Sequence, residues 1–222
     1  EKGVEELWEA AKRLKAEQAD IAIDIVGSFE EHYEDTVNTL DKSGIIKYHG
    51  YQTDVKPFIR QAHCFILPSY HEGMANTLLE SGAMGRPLIT SNVHGCLEAV
   101  DDGKNGYLCK VKDSADLYNK MKQFINLSYE QKVRMGKYSH DFIAARFDKK
   151  KVGEDTIREI NAAYWIKRGL KMNKPIRVLH VLTAMKRAGA ETMLMNLFRN
   201  IDHSKIQFDF AVSSNEKCDY DD

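Results

Sequence analysis

The chain has 222 residues, of which 43% are hydrophobic and 29% are charged, and its formal net charge at pH 7 is −1. This length allows one large or two small domains, and the composition is that of an ordinary globular protein. The nearly neutral charge excludes a general attraction to nucleic acid, so we expect no nucleic-acid partner. No apolar run approaches the roughly 20 residues of a membrane helix, and we expect a cytoplasmic protein.

One helical stripe opens the chain and is formed by Val4, Leu7, Trp8, Ala11 and Leu14. IAIDIVG (21–27) then has the β-branched character of a buried parallel strand. Parallel strands need helical crossovers, so we predict an α/β fold with a Rossmann-like parallel sheet covered by helices on both faces. The later strands are predicted at 45–50, 64–68, 87–91 and 107–111, and the helices at about 30–42, after the capping residue Asp54, and from about Met74.

From about residue 114 the pattern is helical as far as Lys167. Ser128 and Gln131 have the spacing of a capping box at the start of one of these helices. Basic residues at 149–151 and 167–177 predict a solvated surface, and peripheral contact with the inner face of a membrane stays open as an alternative.

From Met172 the sequence pattern resembles the start of a new domain. NKPIRVLHVL predicts a strand, AGAE (188–191) opens a helix, and FDFAVSS (208–214) predicts another strand. A single βαβ unit of this size leaves both sheet edges open and lacks a core of its own. We therefore predict two domains, 1–171 and 172–222, with the second depending on the first or on chain that is not present.

Two glutamates, Glu72 and Glu80, lie eight positions apart in HEGMANTLLE (71–80). Glu72 follows a predicted strand, and open α/β folds bind ligands at the carboxyl ends of strands. Gly73 permits close approach of the backbone, and the following amides are unpaired donors at the start of a helix, which suits a diphosphate. Carboxylates on either side of a diphosphate suit the hydroxyls of a nucleotide sugar.

The run PSYHEGMANTLLESGAMGRPLITSNVHGCLEAVDDGKNGYL (68–108) closely resembles the donor-binding core of the family 4 retaining glycosyltransferases of GT-B fold. Lys2-Gly3-Val4 is similar to the opening of the family's first donor-domain helix, and Gly50-Tyr51 falls where its nucleobase loop lies. Residues 172–222 resemble the start of the family's N-terminal, acceptor-binding domain.

The resemblance implies a role for each matching position. Glu72 is the expected catalytic residue, in contact with the hydroxyls of the transferred sugar, and Glu80 is expected to contact the ribose. The amides after Gly73, with Lys2, are expected to hold the diphosphate. The donor-binding positions are thus Lys2, Gly50, Tyr51, Gly73, Met74, Ala75, Asn76, Glu80, Glu98 and, on the acceptor side, Gly189.

The implied reaction transfers a sugar with retention from a nucleotide diphosphate sugar, expected to be a UDP-sugar, to a polysaccharide or lipid-linked glycan. No metal or cofactor is expected, because the four cysteines are scattered without a CxxC pair. Two alternatives stay open, namely a nucleotide-sugar 2-epimerase of the same fold and a non-catalytic nucleotide-binding module.

The order of the two segments is reversed relative to a complete GT-B enzyme, in which the acceptor domain comes first. A fusion or read-through, a piece of a tandem enzyme and a circular permutation would each give this order. We expect a fragment that binds donor but is inactive alone, and whose partner is the missing remainder of a GT-B enzyme or a second copy of the chain.

Overall fold

The computed structural model describes residues 2–28, 33–168, 176–182, 189–204 and 206–212. The chain divides into two compact units, Glu1–Ile143 and Ala144–Asp222. The predicted helix start at 30–32, the predicted domain boundary at 171/172 and the strand end at 213–214 lie outside the described residues.

The first unit alternates helices with parallel strands, as the sequence predicts. In chain order it contains α1 (Val4–Ala16), β1 (Asp24–Ile25), α2 (Glu34–Lys42), β2 (Lys47–Tyr48), α3 (Lys56–Gln61), β3 (Phe65–Leu67), α4 (Asn76–Ala83), β4 (Leu88–Ser91), a 3-10 helix (Leu97–Ala99), β5 (Gly106–Cys109), α5 (Ser114–Ile125) and most of α6 (Tyr129–Phe147).

The strands of this unit form two parallel sheets in the described residues. β4 lies between β3 and β5, and β1 pairs with β2. The predicted buried strand over 21–27 is wrong in its length and burial, because the ladder holds only Asp24 and Ile25 and the exposure alternates along the segment. β4 is the strand that is buried at every residue.

The core of the first unit lies between α1, α5 and the three-stranded sheet. Leu14 of α1 and Leu117 of α5 are almost fully buried in one cluster, together with Ile89 of β4. Burial of each such side chain stabilises the fold by roughly 1.5–3 kcal/mol. An ion pair of 2.7 Å between Glu17 and Lys122 also joins the end of α1 to α5.

Helix starts follow the predicted capping chemistry. The Ser128 amide donates to the Gln131 side chain at 2.7 Å, and the Gln131 amide donates to the Ser128 hydroxyl at 3.3 Å, so the capping box is confirmed. At α3 the N-cap is Val55 rather than the predicted Asp54, although the Asp54 carboxylate accepts from the Lys56 amide at the first residue of this helix.

The second unit includes α7 (Lys149–Arg168), β6 (Ile176–Leu182), α8 (Gly189–Asn200) and β7 (Ile206–Val212). β6 and β7 are parallel along their whole length, from Ile176–Ile206 to Leu182–Val212, so the predicted βαβ pattern is present. Ile157 of α7 packs against the buried cluster of this unit, whose members are Leu194, Ile201, Ile206 and Phe208. This contact explains why α7 belongs to the second unit.

Among the helices of the described residues, not one combines the length and the apolar character needed to cross a membrane.

Candidate functional site: a carboxylate and an ammonium at the end of β3

The candidate site begins where α1 meets the carboxyl end of β3. Gly3 precedes α1 with φ of 68°, and a side chain there would place its Cβ 2.0 Å from the carbonyl oxygen of Pro68. Only glycine tolerates both this backbone conformation and this approach. The close packing brings Lys2 next to the loop that follows β3.

The Glu72 carboxylate is the centre of the site. Its Oε1 atom accepts from the Lys2 ammonium at 2.6 Å and from the Ser69 hydroxyl at 2.7 Å. The Glu72 side chain is only 12% exposed, whereas that of Lys2 is 62% exposed. The predicted catalytic residue Glu72 and the predicted donor-binding residue Lys2, 70 positions apart, are therefore in direct contact.

A second contact holds α1 against this loop. The Tyr70 hydroxyl donates to the Glu6 carboxylate at 2.6 Å, and this hydrogen bond raises the pKa of Tyr70 to about 12.

Gly95 supports the site from the opposite loop. Its φ is 82°, and a Cβ there would lie 2.3 Å from the carbonyl oxygen of Glu72 and 2.9 Å from that of Gly73. The Gly95 carbonyl also accepts from the Ala75 amide at 2.9 Å. The loops after β3 and β4 thus fix the backbone of Glu72 and Gly73 between them.

The amides at the start of α4 differ from the expectation. The helix begins at Asn76 rather than at Met74. The Ala75 amide donates to Gly95 and the Asn76 amide donates to the Met74 carbonyl, so neither is an unpaired donor. No backbone carbonyl of the described residues accepts from the amides of Met74 and Thr77, and these two remain available to an anion.

Glu98 lies on the 3-10 helix that follows Gly95. The carboxylates of Glu72 and Glu98 both interact electrostatically with the thiol of Cys96, which is fully buried. Burial raises the pKa of Cys96, the carboxylates of Glu72 and Glu98 raise it further, and the Lys2 ammonium opposes them. Glu98 itself is exposed.

Among the described residues, no side-chain hydrogen bond or ion pair joins Glu80 or the predicted nucleobase loop to Lys2, Ser69 or Glu72. Glu80 is exposed on α4, and no ion pair within the described residues joins it to another side chain. Tyr51 is 72% exposed, and the Gly50 carbonyl accepts from the Gly27 amide at 2.9 Å. Gly189 is the first residue of α8, in the second unit.

Sequence reasoning overlooked the roles of Ser69 and Gly95. Ser69 stands three positions before Glu72, a spacing that could have indicated a side-chain hydrogen bond. Gly95 carried no such signal, because its contact with Glu72 crosses between two loops. Among the described residues, no group of three His, Cys, Asp or Glu side chains is placed to hold a metal ion.

Comparison with known proteins identifies relatives of the first unit. A family model described as "Glycosyl transferases group 1" matches residues 1–142. The N,N'-diacetylbacillosaminyl-diphospho-undecaprenol alpha-1,3-N-acetylgalactosaminyltransferase of Campylobacter jejuni is 29% identical over 156 residues, which cover 66% of this chain and 40% of that protein. The lipopolysaccharide core biosynthesis glycosyltransferase LpsE of Rhizobium meliloti is 26% identical over 153 residues, which cover 68% of this chain and 44% of that protein. The chain thus spans less than half the length of these relatives.

Solved structures share the fold. TarM superposes with a TM-score of 0.64 at 18% identity, covering 71% of this chain and 32% of that chain. Anabaena HepE in complex with UDP superposes with a TM-score of 0.63 at 18% identity, covering 72% of this chain and 45% of that chain. These neighbours have the GT-B fold, and the α/β arrangement of parallel strands and helices agrees with it. The chain belongs to the group 1 family of glycosyl transferases.

Proposed function

We propose that residues 1–171 are the nucleotide-sugar binding domain of a retaining glycosyltransferase of family 4, and that residues 172–222 correspond to the start of an acceptor domain. The proposed reaction transfers a sugar from a UDP-sugar to a polysaccharide or lipid-linked glycan. One observation carries the proposal: the contact between Lys2 and Glu72 at the carboxyl end of β3, where α/β folds bind ligands.

The chemistry of the cluster fits a sugar diphosphate. The Lys2 ammonium and the free amides of Met74 and Thr77 are donors for diphosphate oxygens, and a carboxylate accepts well from sugar hydroxyls. Glu80 on α4 is the proposed acceptor for the ribose hydroxyls, Gly50 and Tyr51 are the proposed nucleobase contacts, and Glu98 is the remaining proposed donor contact of the first unit. Catalysis would then rest on stabilising the departing diphosphate, and electrostatic stabilisation is usually the largest single contribution.

The names of the relatives support this choice of substrates. One relative transfers N-acetylgalactosamine to a diphospho-undecaprenol-linked acceptor, and others are named for lipopolysaccharide core and capsular polysaccharide biosynthesis. The HepE structures contain UDP, UDP with glucose, or UDP-glucose. A lipid-linked acceptor would bring the working enzyme to the inner face of a membrane.

Substitution of Lys2 tests the proposal. Lys2→Ala should weaken UDP binding by about tenfold or more in calorimetric titration, because a charge-assisted contact to a phosphate is lost. Lys12→Ala is the matched control. Lys12 lies on α1 and, like Lys2, pairs with a glutamate at 2.6 Å, but its partner is Glu9 rather than Glu72. Equal UDP affinity in both variants would contradict the assignment.

A transfer assay tests the second part of the proposal. The chain alone should transfer no sugar from UDP-glucose or UDP-N-acetylglucosamine to a lipid-linked glycan, because most of an acceptor domain is not among its residues. Steady transfer by the chain alone would show that its second unit supplies a complete acceptor site.

A further inference from the structure

Glu72 is held by two donors that differ in kind. Lys2 and Ser69 both donate to the same oxygen, Oε1, at 2.6 and 2.7 Å. No described residue donates to Oε2. One carboxylate oxygen is therefore occupied by the protein and the other is available to accept from a ligand.

The two donors also differ in how firmly the fold holds them. Ser69 is fully buried, directly after Pro68, whose carbonyl packs against Gly3. Lys2 has 62% of its side chain exposed, and its long flexible chain ends in a charge. A diphosphate that binds beside Lys2 competes with Glu72 for the ammonium. The Ser69 hydroxyl is buried, so a bound diphosphate does not draw it away from Glu72.

We propose that Ser69 is a positioning residue that keeps the Glu72 carboxylate oriented toward the transferred sugar after Lys2 has turned to the diphosphate. This inference rests on the proposed function. In the empty site both donors hold Oε1; in the occupied site Ser69 holds it alone, and Oε2 accepts from the sugar. Ser69 itself touches neither sugar nor phosphate.

The test compares the affinities of the chain for UDP and for two sugar nucleotides, UDP-glucose and UDP-N-acetylglucosamine, by calorimetric titration. Ser69→Ala should leave the UDP dissociation constant nearly unchanged and lower the affinity for the preferred sugar nucleotide by about tenfold, since the lost hydrogen bond is to a charged group. The readout is the ratio of the affinity for the preferred sugar nucleotide to the affinity for UDP, because a purely structural role of Ser69 would change both affinities alike.

Two further variants keep the test decisive. Ser139→Ala removes another fully buried hydroxyl, one on α6 that has no hydrogen-bond partner among the described residues, and it should keep the parent ratio. If Ser69→Ala does not fold, Ser69→Cys preserves the size of the side chain but donates weakly, and it should reproduce the loss.

The outcomes separate this inference from the proposed function. A parent chain that fails to bind UDP contradicts the proposed function itself. If the parent binds UDP but Ser69→Ala keeps its affinity ratio, or loses UDP and sugar nucleotide equally, Ser69 is not a positioning residue. A parent chain whose affinity is the same for UDP and for both sugar nucleotides also overturns the inference.

Discussion

At the level of single residues, Gly3 and Gly95 define the site, because each has a positive φ and packs closely against another backbone segment. Gly3 packs against Pro68 after β3, and Gly95 packs against Glu72. Lys2 and Glu72 supply the charges, but these glycines decide where the charges stand. The sequence indicated Lys2 and Glu72 through their motif. It could not indicate the contact of Gly95 with Glu72, which depends on the folding of two separate loops.

Gly3→Ala tests this backbone contact. The added Cβ would meet the Pro68 carbonyl at 2.0 Å, so the variant should lose about 3 kcal/mol of unfolding free energy and also bind UDP more weakly through displacement of Lys2. Gly44→Ala is the matched control. Gly44 has a similar φ of 66° but its nearest neighbour would be 3.9 Å away, so only the backbone cost of about 1 kcal/mol is expected in denaturant unfolding. Equal losses in the two variants would contradict the close contact.

The two glutamates of the motif should have separable effects. Glu80→Ala should lower the affinity for UDP, since Glu80 is the proposed ribose contact. Glu72→Ala should instead reduce discrimination between UDP-glucose and UDP-N-acetylglucosamine, because Glu72 is the proposed sugar contact. Titration of each variant with UDP and with both sugar nucleotides measures this, and parental binding by both variants would contradict the site.

At the level of elements, the sequence predicted the order of helices and strands well and their limits less well. β1 contains two residues where seven were predicted, since the alternating exposure around Asp24 leaves one face of the segment in solvent. α4 begins two residues later than expected because the Ala75 amide bonds to Gly95. The start of α4 thus depends on a contact between two separate loops, which local periodicity does not contain.

Gly106 sets the pairing of β4 with β5. A Cβ at this position would lie 1.8 Å from the Leu88 carbonyl oxygen, so Gly106→Ala should destabilise the first unit by about 3 kcal/mol or more in denaturant unfolding. Gly103→Ala, in the preceding loop, has a φ of 81° but no atom near its added Cβ, and should cost only about 1 kcal/mol. A mild effect of Gly106→Ala would mean that the strands pair in another register.

His180 makes the stability of the second unit depend on pH. The ring centroids of His180 and Phe208 are 4.6 Å apart, and burial lowers the pKa of His180 below the usual 6.5. The unfolded chain therefore binds this proton more readily than the folded chain, and stability is lost as the pH falls below about 6.5.

Thermal unfolding at pH 7 and pH 5 measures this effect. His180→Phe should reduce the difference between the two unfolding temperatures of the second unit, whereas His203→Gln, at an exposed histidine, should retain it. An unchanged difference in His180→Phe would assign the pH dependence to other groups.

At the level of the whole molecule, the proposed donor contacts from Lys2 to Glu98 all belong to the first unit, and Gly189 belongs to the second. The α/β alternation and the second βαβ pattern were both predicted from sequence. The boundary between the two compact units falls between Ile143 and Ala144, within α6. In the second unit α7 packs on α8, and this packing could not be deduced from the helical pattern alone.

Calorimetric titration of the chain with UDP in the presence of EDTA tests the central claim most directly. We expect saturable binding of one UDP per chain without added metal, with the affinity lowered in Glu80→Ala and Lys2→Ala and unchanged in Lys12→Ala. Absence of UDP binding by the folded parent chain, or equal binding by all of these variants, would contradict the claim that this is a nucleotide-sugar binding domain.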